Sequence, residues 1–268
     1  MGINPFALLA AALWLYALFL ALTRTKSPTA KGVAVASLLL LAGISLKDLA
    51  VPPQTGGYPF ESQEDHELGE VDAVEIYLMN AEIKVAPGPG RLELVKKAKS
   101  PRALLGVRPR VETRGPRLKI HDPKQPKGSL YQLTLTLPNP AALTVRVSNG
   151  IFEAQDTLRA LDFSATNASL KLARFAPQAP SRIAITNGEV RLSGYAPRAP
   201  LKITLTNGTV EVHARGPVHY RVDLTNGQIR YPEGTASGRG PFEWGDPEAP
   251  ELWISATNGE VVIEEERP

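Results

Sequence analysis

The sequence predicts an all-β protein, a β-solenoid of about 20-residue coils, behind an N-terminal helical hairpin. Three observations predict it. One asparagine position recurs along the C-terminal half, apolar residues alternate with period two on both sides of it, and proline-rich joints separate the copies. No helical period appears between residues 71 and 268.

The first 51 residues read as a transmembrane hairpin. Pro5 to Leu22 is an uncharged run of 18 residues with Trp14 and Tyr16 inside it, long enough to span with its flanks. Val33 to Leu46 is a shorter apolar run of 14 residues between Lys31 and Lys47, whose stems extend it by snorkelling. Arg24, Lys26 and Lys31 lie between the runs, and the positive-inside rule places them in the cytoplasm. The expected location is therefore the cytoplasmic membrane, with the lipid bilayer as a partner and the β-domain outside. If the second run fails to span, the β-domain is cytoplasmic.

Residues 52–70 read as a polar, acidic linker, and residues 71–268 as the β-domain. From Glu61 to Glu75 there are seven carboxylates and no Lys or Arg. Residues 91–127 invert this, with twelve Lys or Arg against Glu93, Glu112 and Asp122. Basic strands paired with the acidic segments explain such segregation better than an anion-binding face does. Pro109, Pro116, Pro123 and Pro126 point to edges and loops rather than a central sheet.

The repeat is the strongest signal. Asn149, Asn167, Asn187, Asn207, Asn226 and Asn258 each follow Ser or Thr, and Asn80 fits the same frame. Seven of the nine asparagines occupy this position, which composition alone does not produce. In one copy the apolar residues are Ile183, Ile185, Val190 and Leu192; in the next they are Ile203, Leu205, Val210 and Val212. Two architectures fit. Asn-Gly between alternating strands is a hairpin signal, which would make an antiparallel meander. The solenoid is preferred because Ala81 and Ala168 replace the glycine while asparagine stays. A type I′ turn needs left-handed backbone at both centres, whereas a stacked turn needs the amide. Stacked amides bond their equivalents one coil away. Ser148, Thr166, Thr186, Thr206, Thr225 and Thr257 form a second matched row.

The run Leu133-Thr-Leu-Thr-Leu-Pro, then Leu143-Thr-Val-Arg-Val-Ser-Asn-Gly150 and the serial Thr-Asn-Gly copies, resembles the bacterial "putative adhesin" β-helix domains. The resemblance covers roughly residues 71–266. It implies a right-handed parallel β-helix, often membrane-attached, with adhesion, scaffold or envelope-stress roles. It implies no particular activity.

Candidate chemistry is sparse. With no cysteine there are no disulfides, thiolate metal sites or cysteine nucleophiles. The net charge of +3 sits entirely in residues 1–50, and the balanced remainder gives no case for nucleic acid. His66, His121, His213 and His219 show no metal spacing, and no metal or other cofactor is expected. Asp156, Asp162 and Asp223 are the acids a polysaccharide-cleaving β-helix would need, though scattered acids on a solvated face are commoner. The gap before Asn258 inserts residues 231–250, where Tyr231, Phe242 and Trp244 are the candidate ligand-binding aromatics. The same aromatics serve equally to cap the open end of the stack.

The leading expectation is a non-enzymatic, adhesin-like binding or envelope scaffold protein. Its partner would be an envelope polysaccharide, a membrane protein or a second copy of the chain. The alternatives are a regulatory or sensor subunit of an envelope-stress system and a polysaccharide-active enzyme.

Overall fold

In the computed structural model, residues 57–265 are described. They form fourteen strands and one short helix. The strands are β1 (Phe60–Glu67), β2 (Ala73–Pro87), β3 (Arg91–Ala98), β4 (Arg110–Arg114), β5 (Arg117–His121), β6 (Ser129–Leu137) and β7 (Ala141–Gln155). They continue as β8 (Leu158–Ala173), β9 (Ser181–Tyr195), β10 (Leu201–Ala214), β11 (His219–Tyr231), β12 (Gly234–Ser237), β13 (Gly240–Gly245) and β14 (Glu251–Glu265). The helix α1 (Pro101–Gly106) escaped the periodicity because it is under two turns long. Its start is nonetheless legible: the Ser100 hydroxyl caps the Ala103 N–H at 3.1 Å, and Pro101 opens the first turn.

All fourteen strands belong to one mixed sheet. The repeat strands pair in parallel and in register: Ile183 faces Ile203 and Asn187 faces Asn207, while Ile203 faces Ile254 and Asn207 faces Asn258. Each Thr-Asn-Gly step therefore lies inside a continuous strand rather than at a hairpin tip, which removes the meander for these copies. Two features depart from a uniform parallel stack over residues 71–268. Both ends of the parallel region carry antiparallel strands, and neither end follows sequence order. The last copy, β14, lies between β10 and β11. At the other end, β5 and β6 pair in parallel with the two halves of β2, although both follow it in the chain.

Inside a repeat the apolar phase changes at the asparagine. In β9 the buried residues are Ile183 and Ile185 before Asn187, then Val190 and Leu192 after it. That is an odd frame followed by an even one. A flat strand with such a shift would send its second half to the opposite face, yet both halves contribute to one core. Phe152 and Phe163 fill the middle of that core with ring centroids 5.5 Å apart.

The compact unit begins at Tyr58, so the acidic stretch expected as a linker over 52–70 contributes a strand. β1 pairs antiparallel with basic β3. Arg91 meets Asp65 at 3.1 Å, Lys97 meets Glu61 at 3.9 Å, and Lys96 pairs with Glu64. The segregated charges are thus partners across an edge.

The expected location is corrected. Among the described residues no helix is long and apolar enough to cross a membrane, so nothing in the fold supports a membrane placement with the β-domain outside. The hairpin expected over residues 1–51 lies outside the described residues.

Candidate functional site

The repeat frame places its outward residues in straight rows across the sheet. The asparagines form a one-directional chain of amide hydrogen bonds. Asn149 Nδ2 donates to Asn80 Oδ1 at 2.9 Å, Asn167 to Asn149 at 2.7 Å, and Asn187 to Asn167 at 3.0 Å. The chain continues from Asn207 to Asn187 at 2.8 Å, Asn258 to Asn207 at 2.9 Å, and Asn226 to Asn258 at 3.1 Å. Aligned amides polarise one another in such a chain.

The end of the row at Asn80 is closed by a residue that the repeat does not announce. Gln125 lies in the loop joining β5 to β6, where the corner motif would stand. Its Oε1 accepts from the backbone N–H of Met79 at 2.8 Å and of Asn80 at 3.0 Å. Its Nε2 donates to the carbonyl oxygens of Asn80 at 2.9 Å and Ser129 at 3.3 Å. Gln125 is buried, and these four bonds use its full polar capacity. The nearby Asp122 carboxylate accepts from the Tyr131 hydroxyl at 2.5 Å. Burial and that carboxylate raise the Tyr131 phenol well above its ordinary range. A lone glutamine between two prolines is the only sequence sign of this arrangement.

At the opposite end, residues 231–250 fold back over β11. β13 pairs antiparallel with the first half of β11, Val222 opposite Phe242 and Tyr220 opposite Trp244. β12 pairs antiparallel with its second half. Trp244 stacks on buried Tyr220 with centroids 4.9 Å apart and an angle of 14°, and meets Tyr231 at 5.1 Å. Phe242, Trp244 and Tyr231 are half-buried against the core. The three candidate aromatics are therefore brought together, packed inward over the last strand.

The candidate acids are not brought together. Asp162 takes both guanidinium nitrogens of Arg146, which raises the arginine's already high pKa. Asp223 accepts from Trp253 Nε1 at 2.6 Å, and Asp156 lies 3.5 Å from Arg174 Nε. β8 and β11 are four strand spacings apart, about 19 Å, so Asp162 and Asp223 do not share a substrate-sized site. The histidines take separate partners as well. His121 lies 3.4 Å from Glu112, His213 2.7 Å from Glu211, and His219 2.9 Å from Glu243. His66 Nε2 is buried without a partner among the described residues. The His213 contact, with Arg191 beside it, holds the Glu211 carboxyl below its ordinary range. Among the described residues no group of acids and histidines is arranged to hold a metal ion.

Four residues after Asn80, Asn149, Asn167, Asn187 and Asn207 runs an outward charged row, which Val262 ends on β14. Lys84, Glu153, Lys171, Arg191 and Glu211 lie side by side on neighbouring strands. Glu153 serves Lys84 at 3.9 Å and Lys171 at 3.6 Å, while Arg191 reaches Glu211 at 2.6 Å.

No protein-family model matches the chain, and no curated protein is a significant match. Solved structures do match. A "putative cell adhesion protein" of Clostridium sporogenes superposes with a TM-score of 0.45 at 11% identity, over 77% of this chain and 100% of that one. A "putative adhesin" of Bacteroides fragilis gives 0.41 at 10% identity, over 78% of this chain and 98% of that one. A "putative lipid binding protein" of Parabacteroides distasonis gives 0.27 at 10% identity, over 76% and 98%. At this level of likeness those names stay with those proteins.

Proposed function

We propose that the chain is a non-enzymatic binding scaffold built on a right-handed parallel β-helix, presenting rows of repeated side chains to an extended partner. The observation that carries the reading is the in-register stack itself, with one asparagine row and one hydroxyl row running straight across its strands and a charged row from Lys84 to Glu211.

The helical winding is supported by chain reach. β8 has 16 residues, about 50 Å if straight, whereas Ala173 and Ser181 are joined by a link of at most about 27 Å. β8 and β9 run parallel over most of their length, so each strand must turn back on itself. The phase change at the asparagine supplies a corner. Right-handed winding follows from the strong preference for right-handed connections between parallel strands.

A scaffold role is further supported by how the ionisable groups are used. Asp162, Glu211 and Glu153 are engaged with basic neighbours, which suits a rigid presenting surface better than an acid–base pair. Repeating rows favour a partner that itself repeats, and a linear polysaccharide is the simplest such polymer.

The test is retention of the full chain on a panel of immobilised acidic and neutral polysaccharides, with reducing ends followed in the eluate. Retention without release of sugar is expected. Release of new reducing ends would overturn the binding reading in favour of an enzyme.

A further inference from the structure

We infer that a groove crossing β2, β7, β8 and β9 is a binding site for an acidic oligosaccharide, an inference that rests on the binding-scaffold reading above. The groove is an open depression of about 400 Å³, walled on one side by the charged row from Lys84 to Arg191. That volume lies within the range of small-ligand sites.

Its origin is a local shortage of side chain. Two residues beyond the charged row stand Ala86, Gln155, Ala173 and Ser193, of which only Gln155 is long, so the surface drops behind the charged residues of β2, β8 and β9. Between these two outward rows Val85, Ala154 and Leu172 turn their side chains into the core, so the floor there is backbone. The methyl groups of Ala86 and Ala173 give the groove an apolar side, which suits the C–H face of a pyranose ring, and the opposite wall is charged.

The backbone beside the groove carries a second, independent sign. Asp156 and Arg174 adopt left-handed conformations, with φ of 52° and 53°. The next repeat uses Gly194 at φ 63° for the same step. Such a conformation is costly for a residue with a Cβ. Here it places an acid and a base at a small recess that adjoins the groove and shares Ala154, Leu172 and Ala173 with it.

Charge selects the ligand. Lys84 and Lys171 share the one carboxylate that lines the groove, Glu153, while Arg191 at its far end is held by Glu211 at 2.6 Å and Glu189 at 3.6 Å. Glu153 is shared between two ammonium groups at 3.9 and 3.6 Å, beyond hydrogen-bond reach of both. Among the described residues neither lysine makes another hydrogen bond, so each retains donors for an incoming carboxylate. From β2 to β9 is three strand spacings, about 14 Å, enough for a trisaccharide lying across the strands. The groove ends at β10, where His213 stands between Glu211 and Glu264. That acidic end confines an anionic ligand to the basic part.

Isothermal titration of the full chain at low salt with tri-galacturonate, and with maltotriose as the neutral control, tests the site. Tri-galacturonate is expected to bind and maltotriose not. The double variant Lys84→Gln/Lys171→Gln should weaken binding at least about tenfold. Ala173→Leu should fill the groove behind the charged row; if it fails to fold, the double variant decides, because both lysines are on the surface. No binding of tri-galacturonate, equal binding of maltotriose, or undiminished binding by the double variant would overturn the groove assignment. Undiminished binding would leave the scaffold reading standing, with its contact surface elsewhere. Shortened sugars recovered from the titration cell would overturn the scaffold reading itself.

Discussion

The residue after each asparagine shows how one atom decides a corner. A Cβ added to Gly188 would stand 1.8 Å from the Ala168 carbonyl oxygen, and one on Gly208 would stand 1.8 Å from that of Gly188. Both glycines take strongly positive φ, 153° and 138°. Ala81 and Ala168 solve the same corner differently, without positive φ and with the methyl group buried. Glycine and alanine are therefore not interchangeable copy by copy. Gly188→Ala should destabilise the domain by about 2 kcal/mol or more, read as a shift in the urea midpoint. A loss under about 0.5 kcal/mol would show that the corner can switch to the alanine form. Gln125→Ala leaves two N–H groups and two carbonyls of the first corner without their partner and should cost about 1–3 kcal/mol. Glu211 supplies the pH dependence. Its carboxyl titrates below the ordinary 4.5 in the folded state, first through the His213 contact and then through Arg191. Its contribution is present above pH 4.5 and is lost as pH falls through the lower folded value. Glu211→Gln should therefore flatten the acid limb of melting temperature against pH and leave the neutral limb nearly parallel to wild type.

At the scale of elements, the two ends of the parallel region are closed in the same way. β3 and β4 pair antiparallel with β6 and β5 at one end, and β12 and β13 pair antiparallel with β11 at the other. Free edges of a parallel stack would template another chain, and antiparallel hairpins end that propagation. Replacing residues 232–247 by a short Gly-Ser link should expose β11 and produce dimers or longer assemblies in analytical ultracentrifugation. A monomer of unchanged stability would show that the hairpin is not a cap. Trp244→Ala, which keeps the hairpin backbone, should lower stability by about 2–4 kcal/mol, because the ring packs on both Tyr220 and Tyr231. The helix and both caps are built from short or irregular pieces. Period-two alternation over four to six residues does not distinguish a capping strand from a loop, so the insertion at 231–250 was visible in the sequence while its pairing was not.

For the whole molecule, the compact unit that starts at Tyr58 has its own continuous core. A chain beginning at Tyr58 is expected to fold alone, with a calorimetric transition matching that of the β-domain in the full chain. A lower transition would show that the preceding residues contribute to its stability. The sequence by itself determined the all-β class, the repeat frame, the asparagine row positions and the opposed charges of β1 and β3. These follow from local alternation, from spacing and from charge, all of which are properties of neighbours along the chain. Only the tertiary structure decided that β14 inserts before β11, that β5 and β6 together precede β2, and that Gln125 completes the first corner. The groove between Lys84 and Arg191 belongs to the same class, since it depends on which strands set Ala86, Ala173 and Ser193 side by side behind the charged row. The physical reason is that equivalent copies offer nearly equal pairing surfaces, so periodicity leaves their order degenerate. Closure of the ends, burial of the edges and the reach of the connecting loops break that degeneracy, and none of these is a local property of the sequence.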